Sequence, residues 1–248
     1  MSFTFERIKE HRVFTNTFLR RVIVYASFDK KDVDFFNEDF KLSLKKYLLS
    51  MYNVEDIGEF PQKAIELKND EDNLEVMLSN GAFLLAFEQK GYKSFIDSVV
   101  PHLIRLRLFA EQLMGADSYD ELRIRKVNIW RFGYKEKADI SYDMAATAVF
   151  SKELLQADNI ASLTDDERTL PIHSKLIWTD HSQTLKLLTG FAKLSDNAYN
   201  LILDTEVMES AKVKNGELTD TLLKMNGTMF DAYQWSINDK IRGLMDEK

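Results

Sequence analysis

The segment Leu122-Arg123-Ile124-Arg125-Lys126-Val127-Asn128-Ile129-Trp130-Arg131-Phe132 holds the densest set of residues able to do chemistry in this chain. An arginine presents a planar fork of donors that matches a carboxylate or a phosphate. An asparagine and an aromatic beside it would add a two-way hydrogen bonder and a flat contact surface. Arg125, Asn128, Trp130, Arg131 and, from another segment, Trp235 are therefore the candidate ligand or partner contacts. The alternation of the segment slips at its centre. Leu122 and Ile124 fit one phase and Val127 and Ile129 the other, as one inserted bulge residue near Lys126 would produce. Such a bulge would bring Arg125 and Asn128 onto one face. The structural reading of the same residues pairs the arginines with surplus carboxylates, an arrangement of small energetic value at a surface.

Other constellations are weaker. The four histidines, His11, His102, His173 and His181, are scattered, and His173 and His181 are separated by about 26 Å if the strand between them is continuous, too far to share a metal. Asp180-His181 reads equally as a turn and as an acid–base pair. The acidic runs Asn69 to Asn73 and Thr164 to Glu167 could offer oxygen ligands to a hard cation, but they lack EF-hand spacing and suit hairpin turns and loops. Nucleophile-elbow, phosphate-loop, dinucleotide and zinc-protease motifs are missing from the sequence. With no cysteine, disulfides, thiol chemistry and thiolate metal sites are excluded. No metal and no cofactor is expected. A net charge of -7 weighs against broad electrostatic binding to nucleic acid or an anionic membrane.

These residues need a scaffold, and the periodicities outline one. Runs rich in β-branched and aromatic residues at Arg20 to Phe28, Ala64 to Lys68, Leu74 to Leu78, Ala82 to Phe87, Leu122 to Phe132, Ser174 to Thr179, Thr184 to Ala192 and Ala198 to Val207 read as strands. Val33, Phe36, Phe40, Leu44, Tyr47, Leu48 and Met51 form the stripe of a helix that Asp32 could cap. Phe35, Leu42 and Leu49, seven apart, form a second stripe roughly opposite, so that helix must be covered on two sides; these three are the interface candidates. A helix follows from Ser94 to Gly115, with a kink at Pro101 or a true start near Val99, and a final one runs from about Leu218 to Met245 with Trp235 off its apolar stripe. A short helix is expected at Ser151 to Leu155 and an acidic loop at Ala157 to Arg168.

The expected architecture is α+β: antiparallel sheet with long helices packed on one face. Residues 1–118 and 119–248 each read as a meander followed by a helix, the pattern an internal duplication would leave, within one compact unit. No basic and apolar leader and no run of eighteen apolar residues occurs, so a cytoplasmic protein without membrane contact is expected.

Arg125-Lys126-Val127-Asn128, after Leu122 and a long helix, resembles the Arg-(Tyr/Lys)-(Ile/Val)-Asn strand of a sporadically distributed bacterial family of uncharacterised proteins of about this length. Gly91-Tyr92 with Phe95, and Phe230, Tyr233 and Trp235 in the last helix, match its Tyr-led helix and its aromatic C-terminal helix; where that pattern has a histidine early in the last helix, this chain has Asn226. The resemblance implies the architecture and a bacterial setting, and no activity.

Taken together, the residues favour a non-catalytic binding or accessory module acting through protein–protein or small-anion contacts, with self-association compatible. An enzyme acting on a phosphate- or carboxylate-bearing substrate is the alternative, with Arg125 and Asn128 holding the anion and Asp143 or Asp180 as base. A nucleic-acid accessory protein is the second alternative. It requires Arg105, Arg107, Arg123, Arg125, Lys126 and Arg131 to form one basic surface.

Overall fold

The computed structural model describes residues 18–28, 37–53, 64–69, 73–79, 81–89, 92–133, 141–157, 172–195 and 198–246. Phe35 and Asp32, most of the first acidic run and the Thr164 to Glu167 run lie outside these residues. The strands are β1 (Leu19–Ser27), β2 (Ala64–Asn69), β3 (Leu74–Ser79), β4 (Ala82–Glu88), β5 (Ser118–Tyr119), β6 (Glu121–Gly133), β7 (Ile172–Asp180), β8 (Gln183–Ser195), β9 (Ala198–Glu209) and β10 (Val213–Lys214). The helices are α1 (Glu38–Tyr52), α2 (Val100–Leu108), α3 (Tyr142–Val149), α4 (Lys152–Ala157), α5 (Leu218–Ser236) and α6 (Asp239–Asp246). Eight strands form a large antiparallel sheet in the order β2-β3-β4-β1-β6-β9-β8-β7, and β5 pairs with β10 in a separate ribbon. The chain is thus α+β as its periodicities require.

Two compact units divide the chain. One comprises residues 23–124 and 209–223. Here β2, β3 and β4 form a meander, with Ile65 opposite Leu78 and Leu78 opposite Phe83, so that apolar residues of the three strands share a face. Gly81 takes φ 104 between β3 and β4, a conformation that glycine adopts without the clash of a Cβ. Phe87 meets His102 of α2 edge-on at 5.7 Å. Tyr47 of α1 donates from its hydroxyl to the Arg105 carbonyl at 2.7 Å and packs on Phe109.

The helical segments of this unit correct one expectation and agree with another. α1 begins at Glu38, capped by Asn37, whose side-chain oxygen accepts from the Asp39 and Phe40 amides. The Ser94 segment is capped as its residues predict, Ser94 Oγ accepting from the Asp97 amide at 3.0 Å. Its first turn, Phe95–Val99, is wide, with the Val100 amide bonded to the Phe95 carbonyl, and a second wide turn spans Phe109–Leu113. The first opens the backbone just before Pro101, where the ring would crowd a preceding carbonyl.

The other unit comprises residues 1–22, 125–208 and 224–248. β7 and β8 form a hairpin in which Asp180 faces Gln183 across a two-residue turn, His181-Ser182. His181 occupies the left-handed region at φ 54. The final helix is two helices rather than one. Ser236 Oγ bonds back to the Ala232 carbonyl at 2.7 Å, Ile237 forms a bridge with Phe150, and Asn238 starts α6 by accepting from the Ile241 amide at 3.0 Å. The Ser151 amide takes the Ser236 carbonyl and the Asn238 amide takes the Val149 carbonyl, so the α3–α4 connection supplies the bonds that a continuous helix would have made internally. Leu244, within the span expected to form one helix, is exposed in α6. α3 was not visible in the sequence as a helix, whereas the short helix after Ser151 is α4.

Candidate functional site

Strand β6 carries the site, and its two faces differ. Leu122, Ile124, Asn128 and Trp130 are all buried, so the covered face keeps the even residues from end to end. Lys126 belongs to the same series: its Nζ donates to Asn226 Oδ1 of α5 at 2.6 Å. The expected bulge near Lys126 is therefore not what the side chains show. The phase seemed to slip because Lys126 and Asn128 are polar at covered positions, while Val127 and Ile129 are apolar on the other face. Arg125 and Asn128 consequently point away from each other, and the site that needs both on one anion is not assembled.

On the open face, Arg125 is held by Asp204 of β9, Nε donating to Oδ1 at 2.9 Å and to Oδ2 at 3.0 Å, with a further bond from the guanidinium to Oδ2. Hydrogen bonding to Asp204 raises the Arg125 pKa against the opposing effect of burial, with Asp204 and Glu206 charges adding to the rise. Glu206 in turn accepts from Lys186 of β8 at 3.1 Å. The result is a ladder of alternating charge across β6, β9 and β8, the arrangement the structural reading of the arginines anticipated. Arg131 is exposed on the same face.

On the covered face the chemistry is different. Burial lowers the Lys126 amine from its ordinary 10.5 to about 8. Lys126 and Asn226 are each partly exposed as whole residues, while the amine itself is enclosed. Asn128 is 6% exposed and Thr205, on β9, 1%. Because Arg125 and Asp204 meet on the open face, Thr205 next to Asp204 lies on the covered face in the same stretch of sheet as Lys126. Trp130, 3% exposed, stacks nearly parallel with Tyr233 of α5 at 6.4 Å and meets Phe150 edge-on at 6.0 Å. The Trp130 Nε1 and Thr205 Oγ1 atoms have no hydrogen-bond partner among the described residues.

The remaining candidates fall elsewhere. Trp235 packs edge-on against Trp178 of β7 at 5.7 Å, which accounts for its position off the α5 stripe. Asp180 and His181 form the hairpin turn, their side chains 2.7 Å apart with the imidazole exposed. Asp143 is exposed in the first turn of α3. Leu42 and Leu49 are 53% and 50% exposed on α1. Of the six basic residues required for one nucleic-acid surface, Lys126 is enclosed, Arg125 is paired with Asp204, Arg123 with Glu121 at 2.6 Å and Arg107 with Glu111 at 3.4 Å. Among the described residues no cluster of His, Asp and Glu has metal-binding geometry.

Sequence reasoning missed Lys126, Asn226, Asp204 and Thr205 as partners. One signal was available for the first: keeping a single phase along Leu122, Ile124, Asn128 and Trp130 puts Lys126 inside. No protein-family model matches the chain, and no curated protein matches it. No described helix is long and apolar enough to cross a membrane.

Proposed function

We propose that the protein is a non-catalytic binding or accessory module that works through protein–protein contact, foremost with a second copy of itself. The observation that carries this reading is the two-sided character of α1. Leu44, Tyr47 and Leu48 are buried on one side, while Leu42 and Leu49, seven residues apart on another, each leave about half their surface in water. Covering the exposed half of two leucines is worth roughly 2 kcal/mol in all, well short of the ~8 kcal/mol of a micromolar complex, so the contact must extend beyond them. Phe35 continues the same seven-residue spacing in the sequence. The resemblance to a bacterial family and a cytoplasmic setting belong to this proposal.

Native mass spectrometry of the intact chain, alone and as the Leu42→Asp/Leu49→Asp variant, tests it. The expected result is a dimer that the variant converts to monomer with its thermal midpoint unchanged. A wild-type chain that stays monomeric at tens of micromolar would rule out self-association, and the stripe would then have to meet a different protein.

The enzyme reading built on Arg125 and Asn128 loses its support, because the two side chains lie on opposite faces and Arg125 is committed to Asp204.

A further inference from the structure

The water-facing side of α1 carries charge in a fixed order around its leucines. At about 100° of turn per residue, Leu42 and Leu49 mark the midline of that side, within about 20° of one another. Glu38 and Lys45 lie on one flank of the line and Asp39 and Lys46 on the other, each within about 60° of it. All six residues are exposed. Glu38 takes Lys41 at 2.7 Å and still keeps 86% of its side chain in solvent. Both flanks therefore change sign along the helix, acidic one turn before Leu42 and basic one turn after it.

We infer that α1 pairs antiparallel with the α1 of a second copy, about a two-fold axis that passes beside Leu42. The pairing rests on the self-association reading and adds to it an orientation, a register and the force that selects them. In a two-fold antiparallel pair each flank meets the same flank of the partner, running in the opposite direction. With the axis at Leu42, Glu38 lies about 6 Å from it along the helix and the partner's Lys45 about 4.5 Å on the same side, so the two come nearly level. Asp39 and the partner's Lys46 come level by the same arithmetic. Symmetry doubles both, which surrounds Leu42 with interchain pairs of opposite charge. A parallel pair would set acidic residues beside acidic ones and basic beside basic, and like charges across an interface repel. An unrelated partner of one charge sign would match only half of the pattern, whereas a reversed copy matches all of it. The charge order thus turns leucines too few to hold a complex by themselves into a self-recognising surface.

Sedimentation equilibrium of the intact chain and two charge-reversed variants tests the pairing. Glu38→Lys/Asp39→Lys makes the face wholly basic, and Lys45→Glu/Lys46→Glu makes it wholly acidic. Each alone should dimerise at least about tenfold more weakly than the wild type, and an equimolar mixture should restore a dimer, which can only be the heterodimer. The wild-type dimer should loosen as salt is raised. If one variant does not fold, the strength of the other's dimer decides. The pairing is overturned by a variant that dimerises alone as the wild type does, by two folded variants that fail to pair when mixed, or by a salt-insensitive wild-type dimer. A dimer that is lost in Leu42→Asp/Leu49→Asp but survives both charge reversals would keep the self-association reading and sink this one; a monomeric wild type would sink both.

Discussion

Arg125 and Lys126 are consecutive cations with opposite electrostatic fates. Arg125 lies on the open face of β6, where Asp204 and Glu206 favour its charged form and raise its pKa. Lys126 lies on the covered face, where burial disfavours charge and brings the amine down to about 8. Formal charge is the same in both; what differs is which side of the pleat each residue occupies, and hence whether a carboxylate or the protein interior surrounds it. A basic run in a strand is therefore two half-runs with separate roles. That is why Arg125 serves as part of a cross-strand ladder while Lys126 bonds inward to Asn226.

The largest expected effect comes from removing the anchor of the covered face. Trp130→Ala deletes a buried ring packed on Phe18, Tyr233 and Phe150, and should cost about 3–5 kcal/mol in urea unfolding. A cost near 1 kcal/mol would mean that the covered face of β6 is loosely packed, and the contrast between the faces would collapse.

Next in size is the pH response of Lys126. Below about pH 8 its amine is protonated in both states, and the folded chain bears the full cost of enclosing the charge. Above about 8 the folded chain releases that proton, while the unfolded chain keeps it to about 10.5, so stability rises with pH. The gain between pH 8 and 9.5 should be on the order of 1 kcal/mol, within the ceiling of about 1.4 kcal/mol per pH unit for one proton. Further up, burial has raised the hydroxyl pKa values of Tyr47, Tyr92, Tyr119 and Tyr233, so these ionise first in the unfolded chain and stability falls again. Thermal melts of the wild type should show the rise, and Lys126→Met should flatten it. A wild-type curve flat from pH 8 to 9.5 would place Lys126 in water and erase its difference from Arg125.

The smallest effect belongs to the open face. Arg125→Lys keeps the charge but loses the forked bonds to Asp204, and should cost less than about 1 kcal/mol, declining with added salt. A larger, salt-independent loss would mean that the ladder is effectively interior, sharpening the comparison in the opposite direction.

Much of this architecture was legible because it follows from local periodicity. Alternating apolar residues delimit every large strand, since one face of a sheet must leave water, and Asn-Asp-rich segments and Ser-Asn-Gly mark the turns between them. The stripe of Leu44, Tyr47 and Leu48 and the leftover pair Leu42 and Leu49 were equally readable from a 3.6-residue period. The sequence by itself thus determined the large strands, the fold class and the segment that carries the candidate site. Only the tertiary structure decided which polar residues of that segment face inward, that Asp204 arrives 79 positions later to claim Arg125, and that Asn226 arrives 100 positions later to meet Lys126. It also decided that the last helix breaks at Ile237, where the α3–α4 connection offers backbone partners. The physical reason is the same in each case: periodicity records how a residue relates to its near neighbours, whereas a hydrogen-bond or ion-pair partner is chosen by chain packing among residues distant in sequence.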